Sequence, residues 1–214
     1  MKIAVLSDNH TNFQFDVPPA DVLIHAGDFS FMGKSGEIQD FINWFKEQPH
    51  KHKLWIPGNH ELSLEDFPYN IEVIEVETGA ICLHNKEHAI AGVNFFGSAM
   101  TPSFMNWAFM HNKEQAERYW KYAPKDIDFL VTHGPPLEIL DTNLEGEPCG
   151  CPSLLKYIEK VQPKYNVFGH VHEAFGQRKI NWSNTDKITE FYNVSVLDRQ
   201  YKLTNPVTEI EVKL

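Results

Sequence analysis

Five short segments concentrate side chains able to hold a metal ion: Asp8-Asn9-His10, Gly27-Asp28, Gly58-Asn59-His60-Glu61, Thr132-His133-Gly134 and Gly169-His170-Val171-His172. Together they offer carboxylate, imidazole and amide oxygen but no thiolate, a donor set that suits Mn, Fe, Zn or Ni. Asp8 and His10 are two residues apart, as are His170 and His172, and on extended backbone that spacing returns both side chains to one face. Glycines at 27, 58, 134 and 169 let the backbone turn sharply and approach bound ions, and Gly134-Pro135-Pro136 sets the direction of the chain after His133. Taken singly, each piece has an ordinary explanation: Asp-x-His is common, and an aspartate after glycine is more often a turn. Turns do not account for five such pieces in one chain, each directly after a strand.

The strands that must carry these segments are short runs rich in β-branched and aromatic residues, at 2–7, 21–26, 53–56, 127–132 and 165–168. Residues 35–48 place Ile38, Phe41, Ile42 and Phe45 on one face of a helix, with Ser35 as N-cap and Pro49 as terminator. Residues 152–161 repeat the pattern with Leu154, Leu155, Ile158 and Val161, stopped by Pro163. Strand-helix-strand order implies parallel pairing, and in open α/β sheets sites assemble at the carboxyl ends of strands. Two antiparallel hairpins are expected, 71–77 with 80–83 and 187–196 with 208–213, which makes the fold mixed.

The 214 residues are read as one domain, 1–214, because the candidate ligands run from Asp8 to His172 and must meet at one point. A formal charge of -10 is the wrong sign for neutralising a long nucleic acid and favours a small phosphorylated substrate. Cys82, Cys149 and Cys151 cannot all pair, which points to a reducing, cytoplasmic setting. No apolar run approaches the length of a membrane span or a signal-peptide core, and no protein partner is inferable.

In order, D-x-H, G-D, G-N-H-E, a lone H and G-H-x-H resemble the calcineurin-like metallophosphoesterases over about residues 1–200. ADVLIHAGDF, PGNHEL, THGPPLEILD, FGHVHEAFG and the Trp107 region TPSFMNWAF are similar to the metallophosphoesterase-domain-containing subfamily. The resemblance implies a four-layer α/β/β/α sandwich of two mixed sheets flanked by helices. It further implies two divalent ions, with Asp8, His10, Asp28 and His172 on one and Asp28, Asn59, His133 and His170 on the other. His60 would bind no metal and would instead assist the leaving group of a small phosphodiester, such as a cyclic nucleotide, with Asn59 and His60 beside the substrate. Thr11-Asn12 departs from the glycine usual after the first histidine.

Two ions about 3.5 to 4 Å apart can hold a hydroxide for in-line attack, so no protein nucleophile is required. Mn is the expected metal, with Fe, Zn or Ni as alternatives, and activity should fall in acid as ligand histidines protonate. Two other functions are open: a nuclease of the same chemistry, with Phe104, Trp107, Phe109 and Met110 as a base-binding wall, and a non-catalytic scaffold on the same fold. His25 reads as a packed strand residue, and Cys149-Gly150-Cys151 as a tight turn before a helix. Glu61 is either a support to the ligands or a surface residue.

Overall fold

Alternation along the first strand decides how the layers stack. In the computed structural model, which describes residues 1–213, the chain begins with β1 (Lys2–Leu6). Ile3 and Val5 enter one apolar core while Ala4 and Leu6 enter another, so this strand is buried on both faces. The chain continues through β2 (Val22–His25), α1 (Ser35–Glu47), β3 (His52–Trp55), α2 (Leu62–Asp66), α3 (Tyr69–Thr78), β4 (Ile81–Cys82), β5 (Glu87–Ile90) and β6 (Val93–Ser98). Next come β7 (Thr101–Pro102), β8 (Met110–His111), α4 (Lys113–Tyr122), β9 (Phe129–Thr132), α5 (Pro152–Val161), β10 (Tyr165–Phe168), β11 (Gly176–Asn181), β12 (Ile188–Asn193) and β13 (Thr208–Glu211).

Eleven of the strands form two mixed sheets, ordered β13-β1-β2-β3-β4 and β11-β12-β10-β9-β6-β5, and β7 pairs with β8 in a separate parallel two-stranded sheet. Their facing sides share a core containing Val5, Ile24, Leu54, Phe95, Phe129 and Val167. Outside the first sheet, α1 buries Ile38, Phe41, Ile42 and Phe45 against Trp55. Outside the second, α4 and α5 cover Leu130, Phe168 and Phe191. The result is an α/β/β/α sandwich of four layers. Each fully buried Phe or Leu contributes about 1.5–3 kcal/mol through the apolar surface it removes from water.

The structure corrects three local expectations. Ser35 is the first residue of α1 and not its cap; Lys34 occupies the cap position with extended backbone, and Glu37 Oε2 accepts the Lys34 N–H at 2.9 Å. Residues 71–77 are not a strand but part of α3, which buries Ile74 and Thr78 and ends at Gly79 in the left-handed region, φ 67°. Their β-branched residues favour a strand, yet the alternation a strand needs is missing: Ile71 and Ile74 pack inward three apart, while Val73 and Val76 face solvent. Finally, 187–196 and 208–213 do not pair. β12 lies between β10 and β11 in the second sheet, and β13 closes the first sheet against β1.

Strands β1, β2 and β3 run parallel, as do β9 and β10, so five carboxyl ends point to one edge of the sandwich. There Ser7 and Ser195 form an isolated parallel bridge that joins the two sheets directly beneath Asp8.

Candidate metal centre

Backbone hydrogen bonds knit the strand ends together. The N–H of Asp8 donates to Gly27 O at 3.0 Å, that of His10 to Asp28 O at 3.2 Å, and that of Gly169 to His133 O at 2.9 Å. Asp8, His10, Asp28 and His170 all have left-handed backbone, with φ of 56°, 40°, 57° and 70°. For residues with a Cβ this is an uncommon conformation costing about 1–2 kcal/mol each. The strain sits where the chain must aim side chains inward. Gly27 (φ 98°) and Gly58 are required by close approach: a Cβ on either would lie 2.7 Å from the His133 ring.

All seven expected ligand residues converge. Asp8, His10 and His172 bring one donor atom each within 4.8 Å of one another, and so do Asp28, His133 and His170. His10 Nδ1 lies 2.8 Å from Ser30 O and His172 Nδ1 lies 3.1 Å from Asp198 O. A carbonyl only accepts, so both Nδ1 atoms carry the proton and both Nε2 atoms present lone pairs. Those two Nε2 atoms face each other at 3.3 Å, and Asp8 Oδ1 is 3.6 Å from that of His172. Lone pairs and a carboxylate converging in this way call for a cation between them.

The second group repeats the arrangement. His133 Nδ1 donates to Ala26 O at 3.0 Å, leaving Nε2 2.9 Å from Asn59 Oδ1 and 3.2 Å from Asp28 Oδ2. His170 Nδ1 is 2.8 Å from the same Asn59 oxygen. Asp28 Oδ2 also lies 4.0 Å from His10 Nε2, so Asp28 stands between the two groups. These oxygen and nitrogen donors fit two divalent ions.

Electrostatics follow from burial and from these neighbours. Burial pushes His10 down to about 4, and burial together with His133 does the same to His170, so both are neutral donors. For His133 burial also acts downward, but the Asp28 carboxylate outweighs it and lifts the group to about 9. Burial would raise the Asp28 carboxyl; His133, His60 and His10 overcome that and hold it well below the usual range.

Glu61, which the sequence leaves undecided, is fully buried and supports the site. Its Oε2 accepts the N–H groups of Asp28 at 2.9 Å and Gly58 at 2.6 Å, while Oε1 accepts from Ser30 N at 3.0 Å and Ser30 Oγ at 2.7 Å. Burial and the Asp28 charge push its carboxyl up to about 8, whereas its four donors favour the ionised form. Asp8 Oδ2 accepts from the hydroxyls of Ser7 and Ser195.

His60 sits between the site and solvent. Its Nδ1 donates to Phe31 O at 2.7 Å, one ring face stacks on Trp107 with centroids 4.2 Å apart, and its Nε2 is 3.9 Å from Asp28 Oδ2. With His10 and Asp28 it forms a third group of close donors. The cleft above the site, about 320 Å³, is walled by Phe104, Met105 and Trp107 on one side and by Arg199 and Tyr201 on another. Phe109 and Met110 do not join this wall: Phe109 is buried against His84, and Met110 lines a separate pocket beside α4. His25 is buried in β2, with Nε2 2.8 Å from Asn9 Oδ1, and Cys151 is the N-cap of α5. The wall residues Arg199 and Tyr201 escape a sequence reading because no motif marks the turn that carries them.

The family described as calcineurin-like phosphoesterase matches residues 1–174. Human metallophosphoesterase domain-containing protein 1 is 33% identical over 236 residues, covering 99% of this chain and 71% of that protein. A UPF0046 protein of Caenorhabditis elegans is 39% identical over 190 residues, covering 82% of this chain and 65% of its own. The crystal structure of TT1561 from Thermus thermophilus superposes with a TM-score of 0.63 at 14% identity, covering 96% of this chain and 98% of that one, a likeness of fold.

Proposed function

This chain belongs to the calcineurin-like phosphoesterase family, and from that premise we propose that it is a two-metal phosphodiesterase acting on a small diester. The observation that supports this best is the pair of opposed His10 and His172 Nε2 atoms at 3.3 Å, beside a second group that shares Asp28. Asp8, His10, Asp28 and His172 would hold one ion, and Asp28, Asn59, His133 and His170 the other. Mn is the proposed metal, with Fe, Zn or Ni able to use the same donors. When bound, the ions supply Lewis acidity toward the phosphate and a nucleophile derived from water at neutral pH.

The chain's own groups do the rest. Carbonyls of Ser30, Ala26 and Asp198 fix the orientation of three imidazoles before any ion arrives. Because His60 Nδ1 is committed to Phe31 O, its Nε2 carries a proton only in the imidazolium form. It gives that proton to the leaving oxygen and is left neutral. The three free thiols suit a cytoplasmic setting. Among the described residues no helix is long and apolar enough to cross a membrane. The formal charge of -10 disfavours a long nucleic acid as substrate.

The test compares chelated and Mn-reloaded protein on bis(4-nitrophenyl) phosphate and 4-nitrophenyl phosphate. Metal-dependent hydrolysis with the diester preferred is expected; hydrolysis that survives exhaustive chelation would overturn the two-metal assignment, and preference for the monoester would overturn the diester assignment.

A further inference from the structure

Of the side chains lining the cleft, only that of Arg199 carries a fixed positive charge. Arg199 is exposed at the rim, and none of the ion pairs among the described residues involves it. Glu173, the acidic neighbour in the same wall, instead uses Oε1 to accept the Leu144 N–H at 3.0 Å.

The turn carrying Arg199 is tightly built. The Asp198 N–H donates to Lys202 O at 2.9 Å and the Tyr201 N–H to Asp198 O at 2.9 Å. Asp198 Oδ1 closes the turn from inside, accepting the N–H groups of Gln200 at 2.8 Å and Lys202 at 3.0 Å. Asp198 O also receives the His172 Nδ1–H, and the Tyr201 ring packs edge-on against His10 and His172, with centroids 5.0 and 5.4 Å away. The turn is therefore anchored to the metal-side imidazoles, and its guanidinium stem starts from a fixed point.

A phosphodiester carries one negative charge, and that charge belongs with the two ions. A guanidinium offers a planar fork of donors suited to a phosphate, and at an exposed rim its attraction grows with the charge of its partner. Resting on the phosphodiesterase assignment, we infer that Arg199 is a specificity-determining residue that recognises a second phosphate on the substrate. The substrate is then a linear diester whose retained alcohol bears a phosphate monoester. A cyclic mononucleotide offers Arg199 no such group.

Two measurements test this on the Mn-loaded full chain. In the first, nitrophenolate release is compared for 4-nitrophenyl thymidine 5′-phosphate and for the same ester carrying a 3′-phosphate. The wild type should favour the second by roughly 10-fold or more in kcat/KM; Arg199→Gln should remove that preference by lowering kcat/KM for the 3′-phosphorylated ester more than for the other, and Arg199→Lys should restore part of it. The preference should also shrink as salt rises. In the second, Kd is measured for thymidine 3′,5′-bisphosphate and thymidine 5′-phosphate, where Arg199→Gln should weaken only the bisphosphate. Equal Kd changes for both ligands in Arg199→Gln, or a wild type indifferent to the extra phosphate, would overturn the inference. Failure to hydrolyse either ester would count against the phosphodiesterase assignment, while the Kd comparison still decides the role of Arg199.

Discussion

Glu61 holds Asp28 by its backbone: one carboxylate oxygen accepts the Asp28 N–H at 2.9 Å, and the same oxygen accepts the Gly58 N–H at 2.6 Å. The residue placed between the two ligand groups is thus fixed from behind, and so is the turn leading to Asn59. Replacing Glu61 by Ala strands three buried N–H groups and the Ser30 hydroxyl, a loss of about 3–5 kcal/mol by analogy with other broken buried networks. Glu61→Gln, which sets an amide NH2 against those donors, should also lower Tm and metal content. A Glu61→Gln protein with wild-type Tm and full metal would show that the carboxylate does not organise the site.

Asp28→Ala should empty both metal positions and abolish activity, whereas Asn59→Ala should weaken one. Metal per chain, measured by elemental analysis after dialysis at a fixed free-metal concentration, separates them. Retention of one full equivalent by Asp28→Ala would rule out a bridging aspartate.

His60→Gln should keep both metals and the fold yet lower kcat by on the order of 100-fold to 10,000-fold for esters with a poor leaving group. For a nitrophenolate leaving group the loss should be much smaller. Since His60 lies close to both His10 and Asp28, metal content is the decisive control: a fall in metal per chain would make it a ligand. An equal loss for good and poor leaving groups would make it an electrostatic contact to the phosphate.

The pH dependence of stability has a definite sign. Burial lowers His25 to about 3, and His84, away from the metal centre, to about 4, below the ordinary 6.5. Between those values the unfolded chain binds protons that the folded chain does not. Their contribution is therefore complete above pH 6.5 and is lost as pH falls toward 4, at about 1.4 kcal/mol per group per pH unit. His133, raised to about 9, acts oppositely, its contribution fading as pH climbs from 6.5 through 9. Calorimetry of the chelated protein should show Tm dropping from pH 7 to 4.5, less steeply in His84→Gln. A flat profile would mean that these imidazoles are protonated without penalty.

The candidate ligand segments are legible in the sequence because each is a local motif hung on a short buried strand. Their types, spacing and glycines are all visible over a few residues. Helix α3 is not legible, because Ile71, Val73, Ile74 and Val76 favour strands by type, and only the pattern of burial, with Ile74 and Thr78 inward and Val76 out, reveals the helix. The supports of the site are hidden for another reason. The hydroxyl of Ser195 reaches Asp8 across 187 positions and the carbonyl of Asp198 reaches His172 across 26, contacts that create no local signature. Arg199 and Tyr201 belong to the same hidden class.

The bridge between Ser7 and Ser195 bears on biosynthesis. Asp8 is made 187 residues before the hydroxyl of Ser195 that helps hold it, and His172 is made 26 residues before the carbonyl of Asp198 that orients it. Until those residues have been made, the side chains of Asp8 and His172 lack the contacts that orient them. A fully oriented set of donors therefore requires Ser195 and Asp198 as well as the motifs themselves, so the last contacts to organise the site are made by residues outside every motif.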